Sequence, residues 1–168
     1  MRNIGIVIVS TVMLGCAATK STQDLVAEYS TLSYDDALLV LQQTSCIDGR
    51  CVGPRCSEGR FYALSVNLLP KINDRRVEEL LVHTNPSCRV MALLWLALSS
   101  DSTQRARLED FSSDSAIVEV LEFGCMVSPS SIAQIAKQLS QNPLMFGNGP
   151  DENPYGNVSL NKMVRRAP

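Results

Sequence analysis

Histidine is almost missing from this chain: His83 is the only one in 168 residues. That leaves little material for a histidine metal centre or for a general base that titrates near neutral pH. Tryptophan is equally scarce, and aromatic residues make up only 5%, so a stacking platform for sugars is not expected. No charge of one sign dominates either. Fifteen basic residues stand against 17 acidic ones, a net charge of −2, and the basic surface that nucleic acid demands is lacking. No serine sits in G-x-S-x-G, and neither H-E-x-x-H nor a P-loop occurs. Past residue 15 no apolar run nears the roughly 20 residues that cross a bilayer as a helix. The most hydrophobic stretch, Leu93-Leu94-Trp95-Leu96-Ala97-Leu98, has the length of a buried core segment.

What is present is concentrated at the start. Arg2 precedes an apolar run over residues 4–14 that stops at Gly15-Cys16. One positive charge, a short apolar core and a small residue have the form of a secretory signal. The run is too short for a stable transmembrane helix. Met13-Leu14-Gly15-Cys16 resembles the signal of bacterial lipoproteins, matching at Gly15 and Cys16 and less usual at Met13 and Leu14. The resemblance implies diacylglycerol on the Cys16 thiol, cleavage between Gly15 and Cys16, and acylation of the new amino terminus. Each buried methylene is worth about 0.8 kcal/mol, so several acyl chains hold almost permanently. By the same resemblance, Ala17 after the cysteine favours the outer membrane, with the body facing the periplasm. An ordinary signal-peptidase site and an uncleaved anchor are the competing readings.

With residues 1–15 removed, about 150 residues remain, the size of one domain with a real core. Losing Arg2 takes the charge to about −3. Five cysteines follow Cys16: Cys46, Cys51, Cys56, Cys88 and Cys125. An exported chain meets an oxidising compartment, so disulfides are expected, and the odd number leaves at least one thiol free or paired with another chain. Cys46, Cys51 and Cys56 are spaced evenly by five in a stretch with Gly49, Gly53 and Pro54, which reads as a loop. Cys46–Cys51 or Cys46–Cys56 is the favoured bridge, and Cys88 with Cys125 is a candidate for a second. The spacing is not C-x2-C and no histidine lies nearby, so neither a metal nor another cofactor is expected.

Residues 16–23 read as a lipid-proximal tether, 24–140 as a helical domain and 141–168 as a flexible tail rich in Asn, Gly and Pro. Residues 24–29 begin a helix. Ser33 caps another, with Asp35 and Asp36 in its first turn. Ser57-Glu58-Gly59-Arg60 opens a third, which stops at Pro70. Asn73-Asp74 caps a helix over 75–82 with Val77, Leu80 and Leu81 on one face. Pro86 fits the start of the next, about 87–98, which is apolar nearly all round and therefore central. Residues 102–111 form a polar helix or turn. The segment 116–123 is β-branched and partly alternating. If it is a strand it needs a partner, for which 124–127 is the candidate. Ser128-Pro129-Ser130-Ser131 caps a last helix over 132–139.

Arg60, Ala63 and Leu64 recur as Arg89, Ala92 and Leu93 at an offset of 29. Residues 77–96, with Asn85-Pro86 between two apolar segments and Arg89 and Ala92 in the second, resemble a HEAT repeat. The resemblance covers about 57–99 and implies an irregular, HEAT-like stack of helical hairpins. An irregular helical bundle is the alternative. Either way the chain is expected to be mainly α, with one short β element near 116–127.

His83, at the apolar end of a helix, is expected to bond to terminal carbonyls. Glu78-Glu79 and Asp35-Asp36 are neighbours in sequence and point to different sides of a helix. The expected role is binding rather than catalysis: a lipid-anchored envelope module with a protein partner, using charges of the 73–82 helix and the cysteine loop. The rivals are a small envelope hydrolase built on a cysteine or paired carboxylates, and a purely structural lipoprotein.

Overall fold

A computed structural model describes residues 22–49, 59–122 and 126–146. The chain is mainly α-helical with a small three-stranded sheet. The signal segment, Cys16, Cys51, Cys56 and Cys125 lie outside the described residues.

Helix α1 (Thr22–Ser30) lays Leu25 and Tyr29 into the core beside α3, and its start falls within the stretch expected to be tether. In α2 (Tyr34–Gln42), the Ser33 hydroxyl accepts the Asp36 N–H at 3.1 Å, as the capping pattern predicts. After β1 (Cys46–Ile47) comes α3 (Arg60–Leu68), which tightens into a 3₁₀ turn, Leu69–Lys71, around Pro70. Helix α4 (Asp74–Leu81) is capped by Asn73 and buries Val77, Leu80 and Leu81.

Helix α5 (Pro86–Leu98) is the centre of the fold. Proline at its first position has no N–H to leave unsatisfied. Val90, Met91, Ala92, Leu93, Leu94 and Leu96 are all fully buried, because α2, α4 and α7 cover different sides of the helix. Residues 102–111 divide into α6 (Ser102–Ala106), capped by Asp101, and a 3₁₀ turn, Arg107–Phe111.

The 116–123 segment is extended, as β2 (Ile117–Glu122). Its antiparallel partner β3 (Met126–Ser131) runs further than expected and takes in Ser128, Pro129 and Ser130 before Ser131 caps α7 (Ile132–Gln141). A second partner comes from the cysteine region: β1 pairs with β2 in parallel, Cys46 beside Glu119 and Ile47 beside Val120. A parallel pair needs a long crossover, and α3 to α6 supply it.

Of the stretch expected to be tail, residues 147–168 lie outside the described residues and 141–146 are ordered on the core. Gln141 still belongs to α7, and Phe146 is buried edge-on against Phe61, ring centroids 5.7 Å apart. The apolar ring of Phe146 holds this turn on the core.

Candidate functional site

Successive residues of a strand face opposite sides. In β2, Val118 and Val120 point inward and are buried; Ile117 and Glu119 point outward and are exposed. The register places Pro129 beside Glu119 and Val127 beside Leu121 on the outer side, and Cys46 beside Glu119 from β1. The outward face therefore carries Ile117, Leu121, Val127 and Pro129 around one carboxylate and one thiol. Ile117 is 57% and Val127 52% exposed, well above what a covered β-branched residue shows. β3 is an outer strand of the sheet. Pro129 offers no N–H there, which discourages addition of a further strand and leaves the side-chain face as the surface on offer.

Cys46 is half-buried, a free thiol, with Sγ 3.8 Å from the Ile47 carbonyl. Burial first, then the charges of Asp48 and Glu119, push its thiol above the ordinary value; a hydrogen bond to the Leu121 backbone pulls the other way. Cys88, on α5, is also a free thiol and is fully buried, and desolvation pushes it up to about 12. The expected partners of these two thiols, Cys51, Cys56 and Cys125, lie outside the described residues. A thiol so strongly protonated is a poor nucleophile.

The His83 backbone N–H donates to the Leu80 carbonyl at the end of α4 at 3.2 Å, but its ring has other partners. Its Nδ1 accepts the Asn85 N–H at 3.0 Å, and its Nε2 faces the Gln42 amide at 3.2 Å. Asn85 Nδ2 donates to the Gln42 carbonyl and Ser87 Oγ to the Thr44 carbonyl. The turn before α5 thereby closes the C-terminal end of α2, and His83 is part of that closure.

The charges of α4 are similarly engaged. Arg75 pairs with Glu79 at 3.0 Å; Arg107 donates to both Glu78 oxygens at 2.7 and 2.9 Å. Arg76 lies 3.8 Å over the Tyr34 ring and donates to the Lys71 carbonyl at 2.6 Å. These internal pairs weaken the expectation that α4 presents free charges to a partner. The apolar outer face of the sheet was missed by charge-based reasoning, although the alternation Ile117, Glu119, Leu121 was its signal.

An open groove of about 680 Å³ lies between the Arg107–Phe111 turn and α7, floored by Leu108, Ala133 and Ala136 and rimmed by Glu109, Gln134 and Lys137. No group of three or more metal-ligating side chains occurs among the described residues.

No protein-family model matches the chain, and no curated protein matches it.

Proposed function

We propose that this chain is a lipid-anchored envelope protein, held through Cys16 in the outer membrane, that serves as a protein-interaction module. The single observation behind the choice of surface is the exposed pair Ile117 and Val127 on the outward face of β2 and β3. Apolar side chains grouped on one sheet face mark a surface that a partner covers. The helical body, with α4 and α5 read as one HEAT-like hairpin, is the rigid support. The hydrolase reading is weaker for Cys88, whose thiol is buried, and for Glu78 and Glu79, which are engaged with Arg107 and Arg75.

Two measurements test the reading separately. A photo-crosslinking residue at position 117 or 127 is expected to give one discrete protein adduct in living cells, and at the exposed position 103 none. Adducts of equal yield from all three positions, or from none, would remove the sheet face as the docking surface. Fatty-acid labelling is expected for the wild type and lost in Cys16→Ala; equal labelling would remove the anchor.

A further inference from the structure

Glu119 is the charged residue at the middle of the outer sheet face. Side chains on one side of a strand recur every second residue, about 7 Å apart, so Ile117 and Leu121 flank it along β2. Pro129 of β3 and Cys46 of β1 lie beside it across the sheet. Its charge reaches the thiol, being one of the causes that push Cys46 up. Glu78, Glu79 and Asp114 each have an arginine nitrogen within 3.4 Å. Glu119 is exposed, and among the described residues no basic side chain pairs with it. Taking the sheet face as the docking surface, we propose that it accepts a basic partner: a protein segment that sets a lysine or arginine against Glu119 and apolar side chains against Ile117, Val127 and Pro129.

The carboxylate decides between occupants. In the free protein water solvates it. Whatever covers Ile117 and Val127 also strips that water, because Glu119 lies between them on the same face. An ionised carboxylate buried without a partner is costly. A wholly apolar segment therefore gains at the neighbours and loses at the centre. The hydrocarbon of a bilayer meets the same penalty. A second copy brings the same face in return, and its Glu119 adds a like charge. A lysine or arginine reverses the sign. It replaces the lost water with a charge-assisted hydrogen bond, and arginine matches both carboxylate oxygens with two donors. Glu119 then selects the partner, and its apolar neighbours supply contact area. An extended segment with a basic residue between apolar ones at i−2 and i+2 repeats the spacing of β2.

A photo-crosslinking residue at position 127 of the full-length chain, with mass spectrometry of the adduct, identifies the segment that sits on the face. That segment is then made as a synthetic peptide and titrated against the purified full-length chain. It is expected to contain a lysine or arginine among apolar residues. Binding should weaken about tenfold in Glu119→Gln and about a hundredfold in Glu119→Lys. A peptide with its basic residue changed to glutamate should bind Glu119→Lys better than it binds the wild type, which also shows that the variant is folded. A segment without a basic residue, or equal or tighter peptide binding in Glu119→Gln, would overturn the basic partner and leave the docking surface standing. An adduct with a second copy, or with residues 147–168 of the same chain, which include Lys162, Arg165 and Arg166, would overturn it in the same way. No adduct from 127 or from 117 would remove the docking surface and this partner with it.

Discussion

Arg89 Nη1 stands 3.4 Å from Asp114 Oδ2, and the two side chains are only 18% and 19% exposed. This pair fastens the central helix α5 to the corner that leads into β2. Asp114 also accepts the Ala116 N–H through Oδ1 at 3.0 Å, while Arg89 Nε is buried with no hydrogen-bond partner among the described residues. Removing one member of a largely buried pair strands the other charge, which costs about 3 kcal/mol. Asp114→Asn keeps an acceptor for Ala116, so it isolates the charge. Both Asp114→Asn and Arg89→Met are expected to destabilise, and the double variant to lose less than the sum, with a coupling of about 1–3 kcal/mol. Urea denaturation of the four proteins measures it. Additive losses would mean that the pair does not act as a unit.

Local signals in the sequence were legible, and contacts between distant segments were not. Ser33, Asn73 and Ser131 are caps, and Pro86 starts α5, as their residue types imply. Each depends on groups within three residues of itself. β1 was invisible because two residues carry no periodicity; pairing with β2, some seventy residues away, makes it a strand. The cap on α3 comes from Asp48, 12 residues before Arg60, where no local pattern points. The arginines in register at an offset of 29 also differ in role: Arg60 is the first residue of α3, and Arg89, the fourth of α5, pairs with Asp114. The outer sheet face needed the register of all three strands before Cys46, Glu119 and Val127 fell on one side.

Gly59 is expected to tolerate no side chain. A Cβ there would meet the Gly49 carbonyl at 2.2 Å, whereas one on Gly49 would meet the Phe146 carbonyl at 2.9 Å. Both clashes are with backbone, and the first is the deeper, between two segments already joined through Asp48. Gly59→Ala should therefore destabilise by about 3 kcal/mol and Gly49→Ala by less. Thermal melts that rank them the other way would contradict this packing.

Cys88 is expected to resist alkylation in the native protein. With its thiol pushed up to about 12, only about one molecule in ten thousand carries a thiolate at pH 8, and the side chain is fully buried. Peptide mapping after iodoacetamide treatment should find it unmodified until denaturant is added; rapid native labelling would refute the burial. The same shift has a stability consequence. An unfolded chain loses the Cys88 proton near pH 9 and the folded one near 12. Stability is thus fully present below about pH 9 and lost as the pH rises through that window. Cys88→Ala should flatten the alkaline decline.

Asn67 ties the end of α1 to the end of α3. Its Nδ2 donates to the Tyr29 carbonyl and its Oδ1 accepts from Lys71 Nζ, which also donates to the Leu32 carbonyl at 2.6 Å. Asn67 is buried, so Asn67→Ala leaves the Tyr29 carbonyl without this donor and removes one acceptor of Lys71. A loss of about 1–3 kcal/mol follows. Asn67→Asp should be as harmful, because it restores the acceptor for Lys71 but not the donor for Tyr29. Denaturation showing Asn67→Asp to be neutral would assign the stabilisation to the Lys71 contact alone.

The two faces of the sheet should respond in opposite ways to the same substitution. Val118 and Val120 are buried against the core, and Ile117 and Val127 are more than half exposed. Replacing a buried valine with serine removes about 1.5–3 kcal/mol of burial and adds a hydroxyl that the core does not satisfy. Replacing Ile117 or Val127 loses only β-propensity and partial burial, within about 1 kcal/mol. Val120→Ser is therefore expected to lower the urea midpoint well below that of the wild type, and Ile117→Ser with Val127→Ser to leave it nearly in place. That contrast also makes the outer-face variant a usable probe of binding, since any loss of the crosslinked adduct would then come from the surface and not from unfolding. Equal destabilisation from both faces would show that Ile117 and Val127 are packed in the protein in solution, and the docking surface would have to be sought elsewhere.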